Sequence, residues 1–518
     1  MTDRIDHLII GAGHNGLACA IELARRGRGV LVLEAADQVG GAAITREFAP
    51  GFKVSAGAHL LHGLSEQRVR ELDLEKHGLR FSARHMATIA LNEARAPVVF
   101  SNGAVQGVSP KDAAEFARFN RRMSRFAGLL AQVHDTLPFR LSFASWRDRI
   151  DALKLALRLR MLGRGDMREL LRVGAMNAHD LLTDCFDSDT MKGALGFDAT
   201  LGAEHGARAP GTVLTLLHRW AGQVGSGALG VAQPAGGMGA LTQAMARAAE
   251  AAGVRIRTGA RVQRILVQGD RVAGVRLDSG ETFEAKSVIS NADPRTTFLD
   301  LLSSEHLDTD FVRRVSRFRS KGLVAKLHLA LNGLPSLPGV DAAALGGRLL
   351  VCPSLDYLEL AFNPSKYREV PAHPALEITI PSVNDPALAP AGRHVMSIHV
   401  MFVPYDLGPD PAGARARLLN NVLETLERYS PRLGKRIIDS ELLTPADLER
   451  QFRISGGHWH HGALSFDQFF IARPVPGATR YATPLPGLYL CGAGCHPGGG
   501  VMALAGRNAA LKVIEGGE

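Results

Sequence analysis

The residues of this 518-residue chain that could do chemistry fall into a few tight groups. Near the end, "CGAGCHPGGG" brings Cys491, Cys495 and His496 together, one residue too widely spaced for the C-x-x-C-H haem signature. Upstream, "GGHWHHGALSF" carries His458, His460 and His461, and "SAGAHLLHG" carries His59 and His62. Histidines titrate near neutrality and are the natural proton carriers. The i, i+2, i+3 spacing of the HWHH group, without a partner carboxylate motif, does not match a zinc site, so no metal is expected. No G-x-S-x-G elbow supports hydrolysis. At the other end, Gly11, Gly13 and Gly16 precede the carboxylate of Glu34, a combination suited to phosphates and sugar hydroxyls.

Those glycines need particular elements around them. "DHLIIGAGHNGLACAIELARRGRGVLVLEA" predicts strand, tight turn, helix, strand. The run Leu8 to Ile10 is continuously apolar, as expected of a strand buried on both faces of a parallel sheet. The G-x-G-x-x-G glycines permit the turn, the approach of a pyrophosphate and close helix–strand packing, and the helix N-terminus offers unpaired N–H groups to the phosphates. Glu34, eighteen residues after Gly16, is placed to accept hydrogen bonds from the adenosine ribose and to repel a 2′-phosphate. The order predicts a dinucleotide site. "DQVGGAA", with Gly40 and Gly41, follows at once and favours a flavin over a nicotinamide, because a second glycine pair lets backbone run beside the diphosphate; the alternative is a surface turn. "PAGGMGAL" lacks the spacing and a preceding buried strand for a second, NAD(P)H-binding cradle.

Five segments stand in one order along nearly the whole chain: "IIGAGHNGLACAIELARRGRGVLVLEAADQVGGAA", "PAGGMGALTQAMARAAEAAGVRIRTGARVQRI", "VISNADPRTT", "HGALSFDQFF" and "GLYLCGAGCHPGGGV". In this the chain resembles the phytoene desaturase and carotenoid isomerase-like flavoproteins. Ala42 or Ala43 stands where carotene desaturases and amine oxidases usually carry an arginine after the glycine pair, and Cys495 stands where the family normally shows threonine. The resemblance implies FAD, an apolar substrate reached through a tunnel, and an α/β fold. That fold is a discontinuous Rossmann-like FAD-binding domain (1–75, 234–295 and 455–518) with an α+β substrate domain (76–233 and 296–454) containing an antiparallel sheet and basic helices. The expected FAD contacts are Gly11, Gly13, His14, Asn15, Gly16, Glu34, Ala35, Gly40, Gly41 and Ala42. To these are added Val262, on a strand beside the nucleotide strand, and Gly492, Gly494, Gly499, Gly500 and Val501 in a second strand–glycine turn–helix unit. The acid–base candidates are His59, which follows the glycine pair, His461, which matches the family's HG pair, and His496.

Composition sets wider bounds. A net charge of +9 favours acidic partners, but aromatics at 6% and the lack of zinc-finger or RNA-binding motifs exclude nucleic acid as the expected one. Five scattered cysteines fit a reducing compartment. "MTDRIDHLIIGAG" shows no leader, and no apolar run reaches a membrane-spanning length, so a cytoplasmic location is expected. Residues 113–182 are helix-rich and strongly basic, which leaves room for peripheral membrane contact. From 325 to 403, alternating runs predict an antiparallel sheet, which the resemblance implies would floor the substrate cavity. The function expected is dehydrogenation or isomerisation of a hydrophobic, lipid- or polyene-like small molecule by hydride transfer to flavin, electrons passing to oxygen, a quinone or another acceptor. An amine-oxidase-type reaction and a flavin-stabilised interaction protein are the alternatives, and a homodimer is left open.

Overall fold

Continuous apolar runs of three or four residues set up a parallel sheet, since such strands must be covered on both faces. The computed structural model of the chain describes residues 5–138, 146–222 and 230–516. Its five-stranded parallel sheet runs in the order Arg255–Arg257, Val30–Leu33, His7–Ile10, Ser287–Ser290, Leu488–Leu490. Three stretches of chain far apart in sequence thus build one sheet. The helix His14–Ala24 packs on it together with the last helix, Leu504–Glu515. Gly506 permits that contact, because a Cβ there would come within 1.9 Å of the Asn15 carbonyl oxygen.

A three-stranded antiparallel sheet, Val262–Gln268, Arg271–Leu277 and Thr282–Glu284, lies between the third and fourth uses of the chain. It corrects the expectation for Val262: the neighbour of the nucleotide strand is Arg255–Arg257, and Val262 pairs with Leu277 instead. The segment before "GGMG" also differs from expectation. Val231–Pro234 is a fully buried strand, but it pairs antiparallel with Phe81–Met86 and stays outside the parallel sheet.

The eight-stranded sheet has the order Ile437–Leu443, Val324–Leu331, His394–Met401, Leu376–Thr379, Arg348–Val351, Thr88–Ala90, Val98–Ser101, Ala104–Gln106. It is antiparallel except where Arg348–Val351 meets Thr88–Ala90, so the first third of the chain adds a three-stranded edge that alternation alone did not announce. Alternation decides its two faces. Ala325, Leu327, Leu329 and Leu331 join a core with Leu418, Val422 and Leu426 of the helix Pro411–Tyr429. The opposite face carries Lys326, His328, Glu377, Thr379, Ser397 and His399, all buried. Helices Pro110–His134, Asp189–Thr200 and Thr212–Ala221 belong to a further core with Leu350 and Met401. Among the described residues, no helix is long and apolar enough to cross a membrane.

Candidate active site

A cavity of about 600 Å³ runs from the glycine turn of the parallel sheet to the polar face of the eight-stranded sheet. On the nucleotide side the strand His7–Ile10 ends at Gly11, whose φ of +93° calls for glycine. A Cβ on Gly16 would sit 2.2 Å from the Gly11 carbonyl oxygen, and one on Gly13 would sit 2.8 Å from Asn291 Nδ2. The helix that follows has Gly13 at its N-cap, no side-chain cap and no acid in its first turn, so its first N–H groups stay available to a phosphate. Glu34 is pinned at the cavity edge, Oε2 accepting from the Ala12 N–H (2.7 Å) and Oε1 from the Ala36 N–H (2.9 Å). Gly40 donates its N–H to the Ala12 carbonyl, which lays the second glycine pair against the first turn. These features fit an FAD: bare backbone at the diphosphate, an uncapped helix start and an oriented carboxylate at the ribose. When bound, FAD would be held by the Gly11–Gly16 turn, Glu34 and the Gly40–Ala42 backbone.

The far wall is built by strand register. Lys326 is directly opposite His399, and His399 directly opposite Glu377, so three neighbouring strands set these side chains in a row. Glu377 Oε2 accepts from His59 Nε2 (2.9 Å) and His399 Nδ1 (2.8 Å), while Oε1 accepts from Arg348 Nε (2.6 Å). Arg348 also donates to Asp198 (2.5 Å), and Arg219 closes the group at 3.0 Å from Asp198 and 3.6 Å from Glu377. Lys326 Nζ lies 2.7 Å from His59 Nδ1. The His59 and His399 rings stack at 3.7 Å, and Trp459 lies against His399 at 4.4 Å. Burial alone would push the Glu377 carboxyl up. The Arg348 guanidinium and the hydrogen bonds from His399 and His59 outweigh it and hold Glu377 well below the usual carboxylate range. Burial drives Lys326 well below the usual ammonium range, against the pull of Glu377.

The third wall is the histidine loop. Arg473, fully buried, donates to the carbonyls of His460, Gly462, Ala463, Gln468 and Ala493 and ties this loop to the turn after the last strand. His460 is clamped between glycines: a Cβ on Gly202 or on Gly499 would come within 2.2 Å of it. Ring nitrogens Nδ1 of His460 and His461 and Nε2 of His14 are buried without a protein partner. Burial, helped for His14 by the neighbouring His461, takes His14 down to about 4.

The cavity gathers most of the residues read from sequence. Gly11, Gly13, His14, Asn15, Glu34, Ala35, Gly40, Gly41, Ala42, Val262, Gly500 and Val501 line it, as do His59 and His461. The second glycine unit is otherwise corrected. Gly16, in the first unit, is not among the cavity-lining residues and lets the start of the helix approach the Gly11 carbonyl. A Cβ on Gly492 would press on the Asn291 carbonyl at 2.7 Å, and one on Gly494 on Pro294 at 2.5 Å, so these glycines and Gly499 stand behind the wall and serve protein packing. The last helix begins at Leu504, beyond the glycines, with Ala503 at its N-cap. His496 is also outside the cavity: its Nε2 bonds the Val133 carbonyl at 3.0 Å, and it is a structural tie between the turn and the helix Pro110–His134. Cys495 and Cys491 are buried free thiols, Cys491 beside Cys19. Arg219, Glu377, His399, Lys326 and Trp459 were not singled out by sequence; the alternation in "ALEITIPS" and "HVMSIHVMFV" marks Glu377 and His399 as one face of a sheet and nothing more. Among the described residues, His59, Glu377 and His399 bring three ligand atoms within 4.8 Å of one another. The same atoms are already bonded to each other, and Lys326 and Arg348 adjoin them, which opposes a further cation.

Comparison with known proteins agrees with this geometry. Residues 16–514 match the family described as flavin containing amine oxidoreductase. The chain is 36% identical to pyridine nucleotide-disulfide oxidoreductase domain-containing protein 2 of Rattus norvegicus, over 98% of this chain and 93% of that one. It is 29% identical to hydroxyneurosporene desaturase of Cereibacter sphaeroides, over 98% and 97%. Among solved structures, wild-type putrescine oxidase bound to putrescine superposes with a TM-score of 0.61 at 18% identity, over 99% of each chain. The bare glycine turn, the oriented Glu34 and the full-length match lead to one conclusion: the chain belongs to the flavin-containing amine oxidoreductase family and is an FAD-dependent oxidoreductase.

Proposed function

We propose that the protein oxidises a small polar substrate at a C–H bond next to nitrogen. The observation that carries this reading is the wall facing the nucleotide side: Arg219, Glu377, His399, Trp459, His460 and His59 line it, and a polyene would leave such groups facing hydrocarbon at a desolvation cost. When bound, FAD supplies a two-electron acceptor for hydride. The chain's own groups bind, orient and keep water away. Among the described residues of this wall, Arg219 and Arg348 pair with Asp198 and Glu377. Two guanidiniums against two carboxylates leave no surplus negative charge for a further cation, which favours an amine in its neutral form, whose lone pair assists loss of hydride. Burial holds His460 and His461 below their ordinary range, so both rings are neutral near pH 7 and each keeps Nδ1 unpaired for a proton or hydrogen bond. With one dinucleotide cradle recognised among the described residues, oxygen, a quinone or another acceptor takes the electrons.

A second reading is desaturation or isomerisation of a hydrophobic substrate, favoured by the full-length similarity to hydroxyneurosporene desaturase and by Leu60 and Leu201 on the cavity wall. Anaerobic mixing of the holoenzyme with a panel of primary and secondary amines, and separately with terpenoid and polyene hydrocarbons, tests both. Loss of the visible flavin absorbance with an amine supports the first reading; bleaching by hydrocarbons alone replaces it with the second.

A further inference from the structure

The helix Trp146–Met161 has its amphipathic pattern turned outward. At about 100° per residue, Trp146, Ile150, Leu153, Leu157 and Met161 share one stripe. Trp146 is 72% exposed, Leu153 59%, Leu157 51% and Met161 75%. Ile150 is half-buried. The opposite side of the helix carries Asp148, buried and bonded to Arg480 at 2.7 Å, which anchors it to the body of the protein. Arg149 and Arg160 border the apolar stripe on one side, and Lys154 borders it on the other; all three are exposed. The next helix, Gly163–Gly174, continues the surface with exposed Leu171, Arg164 and Arg168. Over residues 146–172 eight Lys and Arg stand against four Asp and Glu. Asp148 and Asp166 are bonded to Arg480 and Arg125 outside this stretch, while within it Glu169 bonds Arg172 and Asp151 lies 3.6 Å from Lys154, so the surplus remains basic.

We infer that this face docks on an anionic lipid bilayer, with the helix lying in the interface plane. Large apolar side chains in an exposed row mark a surface that something covers. A hydrophobic stripe edged by Lys and Arg matches the layered chemistry of the bilayer surface, acyl chains in the middle and anionic headgroups at the borders. A second copy of this chain is the poorer occupant, because a two-fold interface would set the basic borders against each other. The surface lies apart from the cavity residues, so the inference holds for either substrate class above.

Sedimentation of the flavin-loaded protein with vesicles tests it, using equal parts phosphatidylcholine and phosphatidylglycerol against phosphatidylcholine alone. Binding is expected to the anionic vesicles and to fall as salt is raised. Leu153→Glu with Leu157→Glu is expected to lower that binding at least ten-fold. Lys154→Glu with Arg160→Glu should do the same, since each charge lost near the surface weakens partition about five-fold. These positions are exposed, so melting temperature and flavin absorbance should stay as in the parent. Failure of the parent to sediment with the anionic vesicles overturns the inference, as does undiminished binding by the Leu153/Leu157 variant. A concentration-dependent dimer dispersed by that variant, without vesicle binding, assigns the face to a second copy instead.

Discussion

Glu377 gathers four basic side chains around one buried carboxylate, and its neighbours have unequal claims on it. Arg348 Nε is 2.6 Å away and itself balanced by Asp198, so that guanidinium stays charged despite burial. His399 faces an acceptor on each ring nitrogen, Glu377 at 2.8 Å and the Gly57 carbonyl at 3.2 Å. A neutral ring satisfies only one, and the charged, closer carboxylate takes the proton on Nδ1. Lys326, by contrast, is fully buried with a neutral ring as its hydrogen-bond partner. The two residues should therefore respond oppositely to neutral replacements. Glu377→Gln leaves Arg348 and Arg219 short of a counter-charge and is expected to cost about 3–5 kcal/mol of stability. Lys326→Met removes a poorly compensated charge while keeping its length, and stability should hold or rise by about 1 kcal/mol. Urea unfolding of the two variants decides, and a Lys326→Met protein destabilised as much as Glu377→Gln would show that the ammonium is as fully compensated as the carboxylate. This group was illegible in the sequence for a physical reason. Lys326, Glu377 and His399 stand at the polar positions of alternating strands, and such positions ordinarily face water; only tertiary packing turns that face onto a cavity.

Elements were more legible, because their signals are local. The first strand, glycine turn, helix and second strand stand where the spacing placed them, and the glycines are explained by close backbone approach. The last strand was equally readable, but the reason for its glycines was not, since Gly492, Gly494 and Gly499 answer to Asn291, Pro294 and His460, residues distant in sequence. Val262 was misplaced for a related reason: an alternating strand is easily recognised, whereas its partner is set by topology. Two glycine-to-alanine changes separate turn chemistry from helix propensity. Gly16→Ala forces a Cβ to within 2.2 Å of backbone oxygen at the head of the nucleotide helix, and should sharply reduce the FAD retained through purification. Gly128, exposed inside the helix Pro110–His134, has open space where its Cβ would go. Gly128→Ala should instead stabilise the protein by about 0.5–1 kcal/mol, with FAD content unchanged. Flavin-to-protein absorbance ratios and thermal melts of the two variants provide the measurement, and full FAD occupancy in Gly16→Ala would show that the turn tolerates the shift.

At the scale of the whole molecule, the folded chain stores many neutral histidines. Burial takes His14, His218, His399 and His496 down to about 4, and His458 to about 3. Their unfolded value is 6.5, so below that pH the unfolded chain binds more protons than the folded one. The sign follows: stability is full above pH 6.5 and drains as pH falls from 6.5 toward about 4, His458 alone of these five adding loss down to about 3. Each group shifted to about 4 withdraws up to ~3 kcal/mol at the acid end. Four such losses together rival the ~5–15 kcal/mol by which folded domains are usually stable. Glu377, held low, adds a loss only at more acid pH, when it too must be protonated. The melting temperature is therefore expected to be nearly level from neutral pH upward, to fall steeply below the histidine range, and to reach cooperative unfolding with flavin release before these buried rings could titrate in place. His496→Gln keeps a donor for the Val133 carbonyl but cannot take up the proton. In that variant the acid limb should be shallower by the slope of one proton, while the plateau at neutral pH stays near the parent's. An acid limb as steep in His496→Gln as in the parent would mean that burial of this ring does not govern the loss.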